Sequence, residues 1–141
     1  MIKILGISGS PVKGGNTVTL LKDCFSHIEN HDSVRTEIIT LANKRFDGCK
    51  HCNWCVKNQS EGKFCIQEDD MNMIYFHFLD AQGIILATPV HLGRLSGLMA
   101  NMIDRLRVFV HESGISLARI LAERVLELAK IVKAGEMALQ V

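Results

Sequence analysis

The chain has 141 residues, of which 48% are apolar and 22% charged, a balance typical of one globular domain with a buried core. This composition excludes a disordered or fibrous protein. The net charge of +1 comes from scattered lysines and arginines, so nothing indicates binding to nucleic acid or to an anionic membrane surface. The longest apolar run, residues 83–90, is too short to cross a bilayer.

The chain opens with a predicted strand over residues 2–8, which are rich in isoleucine and are followed by a Gly-Ser-Pro turn. These residues lack the charged segment and long apolar run of a signal peptide, so we expect a cytoplasmic protein. A helix follows from Asn16 or Thr17, both good N-cap residues. Cys24 lies on the apolar face of that helix and is predicted to be a core residue.

The next elements alternate in the same way. Residues 34–41 predict a second strand, and residues 46–68 hold four cysteines without a clear period, which predicts a loop. A helix capped by Asp69 or Asp70 follows, and residues 83–90 predict a third strand. Two further helices are predicted over 95–109 and 116–133.

Strands that alternate with helices predict an α/β fold, with a doubly wound parallel sheet in a single domain over residues 1–141. Three strands are well defined, and residues 108–110 are a candidate for a fourth. A sheet that ended at the third strand would expose a long apolar edge, which proteins usually cover or pair. We therefore expect a homo-oligomer in which a partner covers this edge.

Residues 9–17, between the first strand and the first helix, have the composition of a phosphate-binding loop. Its small residues let backbone N–H groups turn toward a ligand, and the helix N-terminus favours an anion. The loop lacks both the dinucleotide glycine pattern and the Lys-Ser/Thr ending of a P-loop, which favours a mononucleotide phosphate. A tight turn without a ligand is the alternative. Side-chain donors are supplied by Ser8, Ser10, Asn16 and Thr17.

Four cysteines, Cys49, Cys52, Cys55 and Cys65, lie within seventeen residues of one another. In a reducing compartment such a cluster favours thiolate ligands over disulfides. The C-x2-C-x2-C run favours a 4Fe–4S cluster, since it supplies three ligands from one short segment. Zinc is a second interpretation, although structural zinc sites more often use two separated C-x2-C pairs. Unligated cysteines are the third.

Several segments share one family pattern. They are Gly6-Ile7-Ser8-Gly9-Ser10-Pro11 with Gly14-Gly15-Asn16-Thr17, the cysteine run, Asp69-Asp70-Met71, and Ala87-Thr88-Pro89-Val90 followed by Ser96-Gly97 and Asp104-Arg105. In this order, over residues 1–107, they resemble the NADPH-dependent FMN reductase-like family, which includes the iron–sulfur flavoproteins of anaerobic microbes. The match is specific as a set, since each piece is weaker by itself.

The resemblance implies a flavodoxin-like sheet, in which the loops after the first and third strands flank one crevice. It also implies an FMN cofactor. The phosphate would contact Ser8, Ser10, Pro11, Lys13, Gly15, Asn16 and Thr17. The isoalloxazine ring would lie against Pro89, Val90, His91, Leu92 and Gly93. For His91 a solvent-facing position is the alternative, and Asp104-Arg105 would make a structural ion pair or a helix-end contact.

The family pattern continues with two more strand–helix units, whereas here residues 113–134 resemble the family's final helix almost directly after the third strand. The resemblance therefore implies a truncated sheet with an internal deletion. It implies a redox protein that passes electrons between FMN and the cluster, with NAD(P)H or a ferredoxin as electron donor and no catalytic side chain. Two alternatives are an NAD(P)H-dependent FMN or quinone reductase without a cluster, and a non-catalytic dimerising remnant.

Overall fold

A computed structural model describes residues 1–58, 60 and 62–109. The chain divides into two compact units, Met1–Arg107 and Val108–Val141, and only Val108 and Phe109 of the second are described. The predicted helix over 116–133 therefore lies outside the described residues, and the single domain over 1–141 stays a prediction. No helix among the described residues is long and apolar enough to cross a membrane.

The first unit is built on a parallel sheet of three strands in the order β2-β1-β3. The strands are β1 (Ile2–Ser8), β2 (Val34–Thr40) and β3 (Gly83–Ala87). In the sheet register Ser8 pairs with both Thr40 and Ala87, so the carboxyl ends of all three strands meet at one edge. The parallel, flavodoxin-like sheet predicted from the sequence is confirmed.

Helices and one hairpin complete the unit. They are α1 (Asn16–Ser26), α2 (Trp54–Asn58), α3 (Met71–Asp80), the hairpin strands β4 (Val90–His91) and β5 (Arg94–Leu95), α4 (Gly97–Arg105) and a 3-10 helix (Leu106–Phe109). The helix begins at Asn16, one of the two predicted starts, but its N-cap is Gly15 rather than Asn16 or Thr17. Asp70 is the N-cap of α3, as one of the two predicted caps.

Several predicted boundaries are wrong. The third strand ends at Ala87 rather than residue 90, because Pro89 has no N–H and disfavours a continued ladder. The helix predicted from residue 95 starts at Gly97, since Leu95 pairs in the hairpin. The fourth-strand candidate fails at Val108 and Phe109, which form the 3-10 helix continuing α4; Val110 lies outside the described residues.

The core lies against both faces of the sheet. A Cβ built on Gly6 would come 2.8 Å from the ring of Phe25 in α1, whereas one built on Gly9 would come 2.7 Å from Cβ of Met99 in α4. Alternating residues of an extended chain point to opposite faces, so α1 and α4 cover opposite sides. Among the described residues the fully buried apolar side chains are Leu5, Ile7, Leu21, Phe25, Leu41, Met71, Ile74, Tyr75, Met99 and Met102.

The outer strand β3 is poorly covered. In the described part of the chain it pairs only with β1, and Ile84, Ile85 and Leu86 are 42%, 38% and 43% exposed. Cys24, predicted in the core, is exposed instead and lines a groove between α1 and β3. The sheet-facing positions of α1 are taken by Leu21 and Phe25, which leaves Cys24 beside the uncovered strand.

Candidate functional site

The loop after β1 is held between the two neighbouring strands. Gly9 donates its N–H to the carbonyl of Ala87 (2.8 Å), and the carbonyl of Ser8 accepts the N–H of Leu41 (2.9 Å). Ser10 Oγ accepts the N–H of Val12 at 3.1 Å and thereby shapes the turn. The loop thus starts from a fixed position at the carboxyl edge of the sheet, where open α/β proteins bind ligands.

The second half of this loop presents a row of backbone donors. Among the described residues, no hydrogen-bond partner is found for the amide N–H groups of residues 13–17. Gly15 caps α1 through its carbonyl, which accepts from Val18 (2.9 Å) and Thr19 (3.2 Å), but no side chain caps the helix. Gly14 has a φ of 70°, a conformation that favours glycine. Unpartnered amides at a helix N-terminus attract anions.

Ser8 adds a buried polar group beneath the loop. Its side chain is completely buried, and Oγ has no hydrogen-bond partner among the described residues. Leaving a buried hydroxyl unpaired costs about 1–3 kcal/mol. Such an atom at the carboxyl edge of a parallel sheet marks a position where a polar ligand atom would be stabilising.

The first-strand and third-strand loops are tied together by Ser96, which the sequence patterns did not single out as a site residue. Ser96 is buried, donates from Oγ to the carbonyl of Gly9 (2.6 Å) and accepts the N–H of Met99 (3.1 Å) as the N-cap of α4. Its own N–H donates to Thr88 Oγ1 at 3.2 Å. A serine before the first helical residue is a recognisable cap signal, so its position was accessible from the sequence.

The predicted ring-binding segment, Pro89 to Gly93, forms most of an exposed hairpin. His91 pairs with Arg94, and the two residues between them, Leu92 and Gly93, have φ values of 49° and 75°. Two central residues with positive φ are the signature of a type I′ turn, which rarely accepts leucine. Leu92 is 98% exposed, and His91 is exposed beside it.

Two hollows lie near these loops. One, of about 470 Å³, lies between α1 and β3, and its lining includes Asn16, Thr17, Ala87 and Thr88. The other, of about 500 Å³, lies beside the hairpin and is lined by His91, Leu92, Arg94, Leu95, Gly97 and Ala100. Predicted contact residues of both loops therefore line open space.

The cysteine loop, residues 46–68, is more ordered than predicted, because Cys55 lies in the short helix α2. Positive φ values at His51 (54°) and Asn53 (57°) turn the chain sharply on either side of Cys52. Cys55 and Cys65 are buried, Cys49 is half-buried and Cys52 is exposed. All four thiols are unpaired by disulfides.

The thiols lie in a common electrostatic environment. Burial raises the pKa of the Cys55 thiol, nearby Arg107 opposes this effect, and the other three cysteines add to it. Backbone N–H groups approach two sulfurs, from His51 to Cys49 Sγ (3.4 Å) and from Gln67 to Cys65 Sγ (3.5 Å). Within the described residues, however, no three potential ligands form a group that could hold a metal ion.

The chain is similar to known proteins of one flavin-binding family. The family model for NADPH-dependent FMN reductase matches residues 2–133. An iron–sulfur flavoprotein of Methanocaldococcus jannaschii is 39% identical over 106 residues, covering 75% of this chain and 52% of the relative. Another, from Archaeoglobus fulgidus, is 36% identical over 107 residues, which cover 76% of this chain and 52% of that protein. The chain spans about half the length of these curated relatives.

Proposed function

The chain belongs to the NADPH-dependent FMN reductase family, and from this premise we propose that it binds FMN and passes electrons between the flavin and a cysteine-ligated 4Fe–4S cluster. When bound, these cofactors supply the electron chemistry, while the protein supplies binding, orientation and the surrounding electrostatics. The names of the similar iron–sulfur flavoproteins support the pairing of the two cofactors.

The row of unpartnered amides at residues 13–17 is the observation that carries the FMN proposal. A phosphate dianion at this position would accept several of these N–H groups and would lie at the positive end of α1. Ser8 Oγ would gain a partner, and Lys13, which is exposed, would add a positive charge. In a plain turn these exposed donors would bond to water, whereas a phosphate would accept several of them at once.

The hairpin would hold the flavin ring. Val90 and Leu92 are apolar side chains that are 74% and 98% exposed, and Leu92 lines a hollow of about 500 Å³. A flat aromatic ring would cover such exposed apolar surface. Pro89, His91 and Gly93 would offer their backbone carbonyls or amides to the polar edge of the ring. The strained Leu92 supports a binding role, since unfavourable backbone conformations concentrate at ligand sites.

The surroundings of the individual cysteines support thiolate ligands. Amide donors to the sulfurs of Cys49 and Cys65 stabilise negative charge there, as do the hydrogen bonds that tune iron–sulfur centres. Arg107 Nη1 is buried without a hydrogen-bond partner among the described residues, and its charge acts on Cys55. Four thiolates bound to iron would supply the acceptors that this arginine lacks.

A reductase without a cluster is the second candidate function. Two observations favour it, namely the exposure of Cys52 and the lack of a convergent group of three ligands in the described part of the chain. NAD(P)H would then be the electron donor, whereas a cluster-bearing protein would also accept electrons from a ferredoxin. Iron analysis after anaerobic reconstitution separates the two.

The FMN proposal is tested by titrating the apo-protein with FMN and, in parallel, with riboflavin, which lacks the phosphate. Each hydrogen bond to a charged group contributes about 1.5–3 kcal/mol, so we expect FMN to bind at least about a hundredfold more tightly. Equal affinities would contradict a phosphate site in this loop, and no saturable binding of either ligand would contradict the proposal as a whole.

A further inference from the structure

The two ends of the cysteine loop are bonded to each other. Arg45 donates its N–H to Asp70 Oδ2 (2.7 Å), and Asp70 returns an N–H to the carbonyl of Arg45 (3.3 Å). One step further along, Gln67 Nε2 donates to the carbonyl of Gly48 at 3.4 Å. We call this closed base of the loop the neck, residues 45–48 and 67–70.

Arg105, at the end of α4, reaches into the neck from outside the loop and contacts both of its sides. Nη1 donates to the carbonyl of Asp47 (3.1 Å) and to Asp69 Oδ2 (2.7 Å), and Nη2 donates to Asp69 Oδ1 (3.1 Å). Nε donates to the hydroxyl of Tyr75 at 3.2 Å. The structural ion pair expected at Asp104-Arg105 is therefore made by Arg105, with Asp69 as its partner.

This arginine is only 1% exposed, so its contacts are made out of water. Burial works to lower its pKa, but the bonds to Asp69 and Tyr75 outweigh burial and hold the pKa above the ordinary value. The fork geometry matches the carboxylate with two parallel bonds. A buried charge that loses such a partner is left uncompensated, which is strongly destabilising. The pair therefore holds together the segments that contain Asp69 and Arg105.

The outer cysteines lie close to the neck in the sequence. Asp47 is two residues before Cys49, and Asp69 is four residues after Cys65. Phe64, next to Cys65, also packs edge-on against the rings of Tyr75 and Phe76 at 5.6 and 5.4 Å. Cys49 and Cys65, the first and last thiols of the set, are therefore each a few residues from a group that bonds to the Arg105 guanidinium.

We propose that Arg105 is a positioning residue for the thiol set: by joining Asp47 to Asp69 it sets the separation of Cys49 and Cys65. We call the bonds from Arg105 to Asp47 and Asp69 the clasp; they form in the chain without any cofactor. Its consequence for cluster assembly rests on the proposed function, because only a metal centre requires all four sulfurs at one point.

The clasp is tested on the reduced full-length apo-protein with two neighbouring substitutions of the same kind. Asp69→Asn removes the charge that pairs with Arg105, whereas the control Glu68→Gln removes an exposed charge whose partner, Lys63 at 3.3 Å, lies within the loop. By hydrogen exchange, Asp69→Asn should lower protection of residues 46–68 by at least about tenfold and leave β1 and α1 unchanged. Glu68→Gln should match the wild-type protein.

A second readout is Co²⁺ binding by the same proteins, followed through its thiolate absorption bands. Loss of a residue that orients metal ligands lowers metal affinity by about ten- to a hundredfold, and we expect this for Asp69→Asn with FMN affinity unchanged. If the wild-type protein binds no Co²⁺ through its thiols, the cluster in the proposed function fails, while hydrogen exchange still decides the clasp.

Two results would overturn the clasp. One is wild-type protection of the cysteine loop in Asp69→Asn, and the other is loss of protection throughout the sheet, which would make the ion pair a general core contact. If Asp69→Asn does not fold, Arg105→Lys is measured in its place, since lysine keeps the charge but cannot reach Asp47 and Asp69 together. Failure of both variants to fold counts as the second result.

Discussion

Gly9, in the loop after β1, lies close to helix α4. An added Cβ would lie 2.7 Å from Met99 Cβ, a contact that real side chains do not make. We expect Gly9→Ala to lower the free energy of unfolding by about 1–3 kcal/mol, as overpacking does, measured by urea denaturation. Gly97→Ala is the matched control, because no atom lies within 4 Å of its added Cβ. Equal stability of the two variants would contradict the close approach.

Lys3 links two carboxylates at the opposite edge of the sheet, with Nζ 2.7 Å from both Glu37 Oε2 and Asp80 Oδ2. Hydrogen bonds to Lys3 lower the pKa of Glu37 and of Asp80, and bonds to Asp80 and then Glu37 raise the pKa of Lys3. Glu37 and Asp80 contribute fully to the free energy of unfolding above their ordinary pKa values of 4.5 and 3.8. This contribution is lost as the pH falls through their lowered pKa values in the folded protein. The lysine contribution is lost only as pH rises through its raised pKa.

We therefore expect Lys3→Met to lose less stability than the wild-type protein between about pH 6 and pH 3, measured by thermal denaturation across that range. Lys22→Met is the control, since Lys22 is exposed and has no ion pair within the described residues. Parallel pH profiles for the wild-type protein and Lys3→Met would show that this network contributes nothing.

At the scale of elements, the hairpin after β3 stores strain that a single substitution can relieve. A leucine in the left-handed region costs roughly 1–2 kcal/mol, whereas asparagine tolerates it and Asn-Gly is the preferred type I′ pair. Leu92→Asn should therefore raise the free energy of unfolding by about 1 kcal/mol. Leu92→Ala removes the same apolar surface but retains the strain, so it should give no gain. If both variants gained a similar free energy of unfolding, the cause would be removal of the exposed leucine side chain rather than relief of backbone strain.

The longer helices and strands could be predicted from the sequence, because hydrophobic periodicity can be recognised only over several residues. β1, β2 and the start of β3 are apolar runs, and their parallel order follows from the helices between them. The hairpin strands have two residues each and α2 has five, which is too short for periodicity to be read. The bond between Arg105 and Asp69 joins residues 36 positions apart, a pairing that only the folded chain defines.

The candidate site also has a part that the local sequence predicts and a part that only the folded chain defines. The phosphate loop was predicted because its residues are contiguous and its chemistry is local, and the unpartnered amides of residues 13–17 agree with that interpretation. The arrangement of the thiols depends on the neck, on Phe64 and on Arg107, which come from separate parts of the chain. Ligand spacing by itself therefore could not predict how the thiols are arranged.

At the scale of the whole molecule, the apolar strand β3 leads us to propose a homo-oligomer. Its three central residues are all partly exposed, and its outer edge has no partner strand among the described residues, which invites pairing with a second copy. We expect the wild-type protein to sediment as a homo-oligomer and Ile85→Lys, which places a charge on that strand, to sediment as a monomer. Leu79→Lys, at an exposed apolar position of α3 outside the groove that Ile85 lines, is the control. A monomeric wild-type protein would contradict the proposal.

Anaerobic reconstitution followed by flavin and iron analysis tests most directly whether one chain holds both FMN and an iron–sulfur cluster. We expect about one FMN and about four iron atoms per chain, with a flavin spectrum and a broad iron–sulfur absorption. Cys55→Ser should lose the iron and retain the flavin, because the two sites use separate loops. A reconstituted wild-type protein that lacks either flavin or iron would contradict the proposed function.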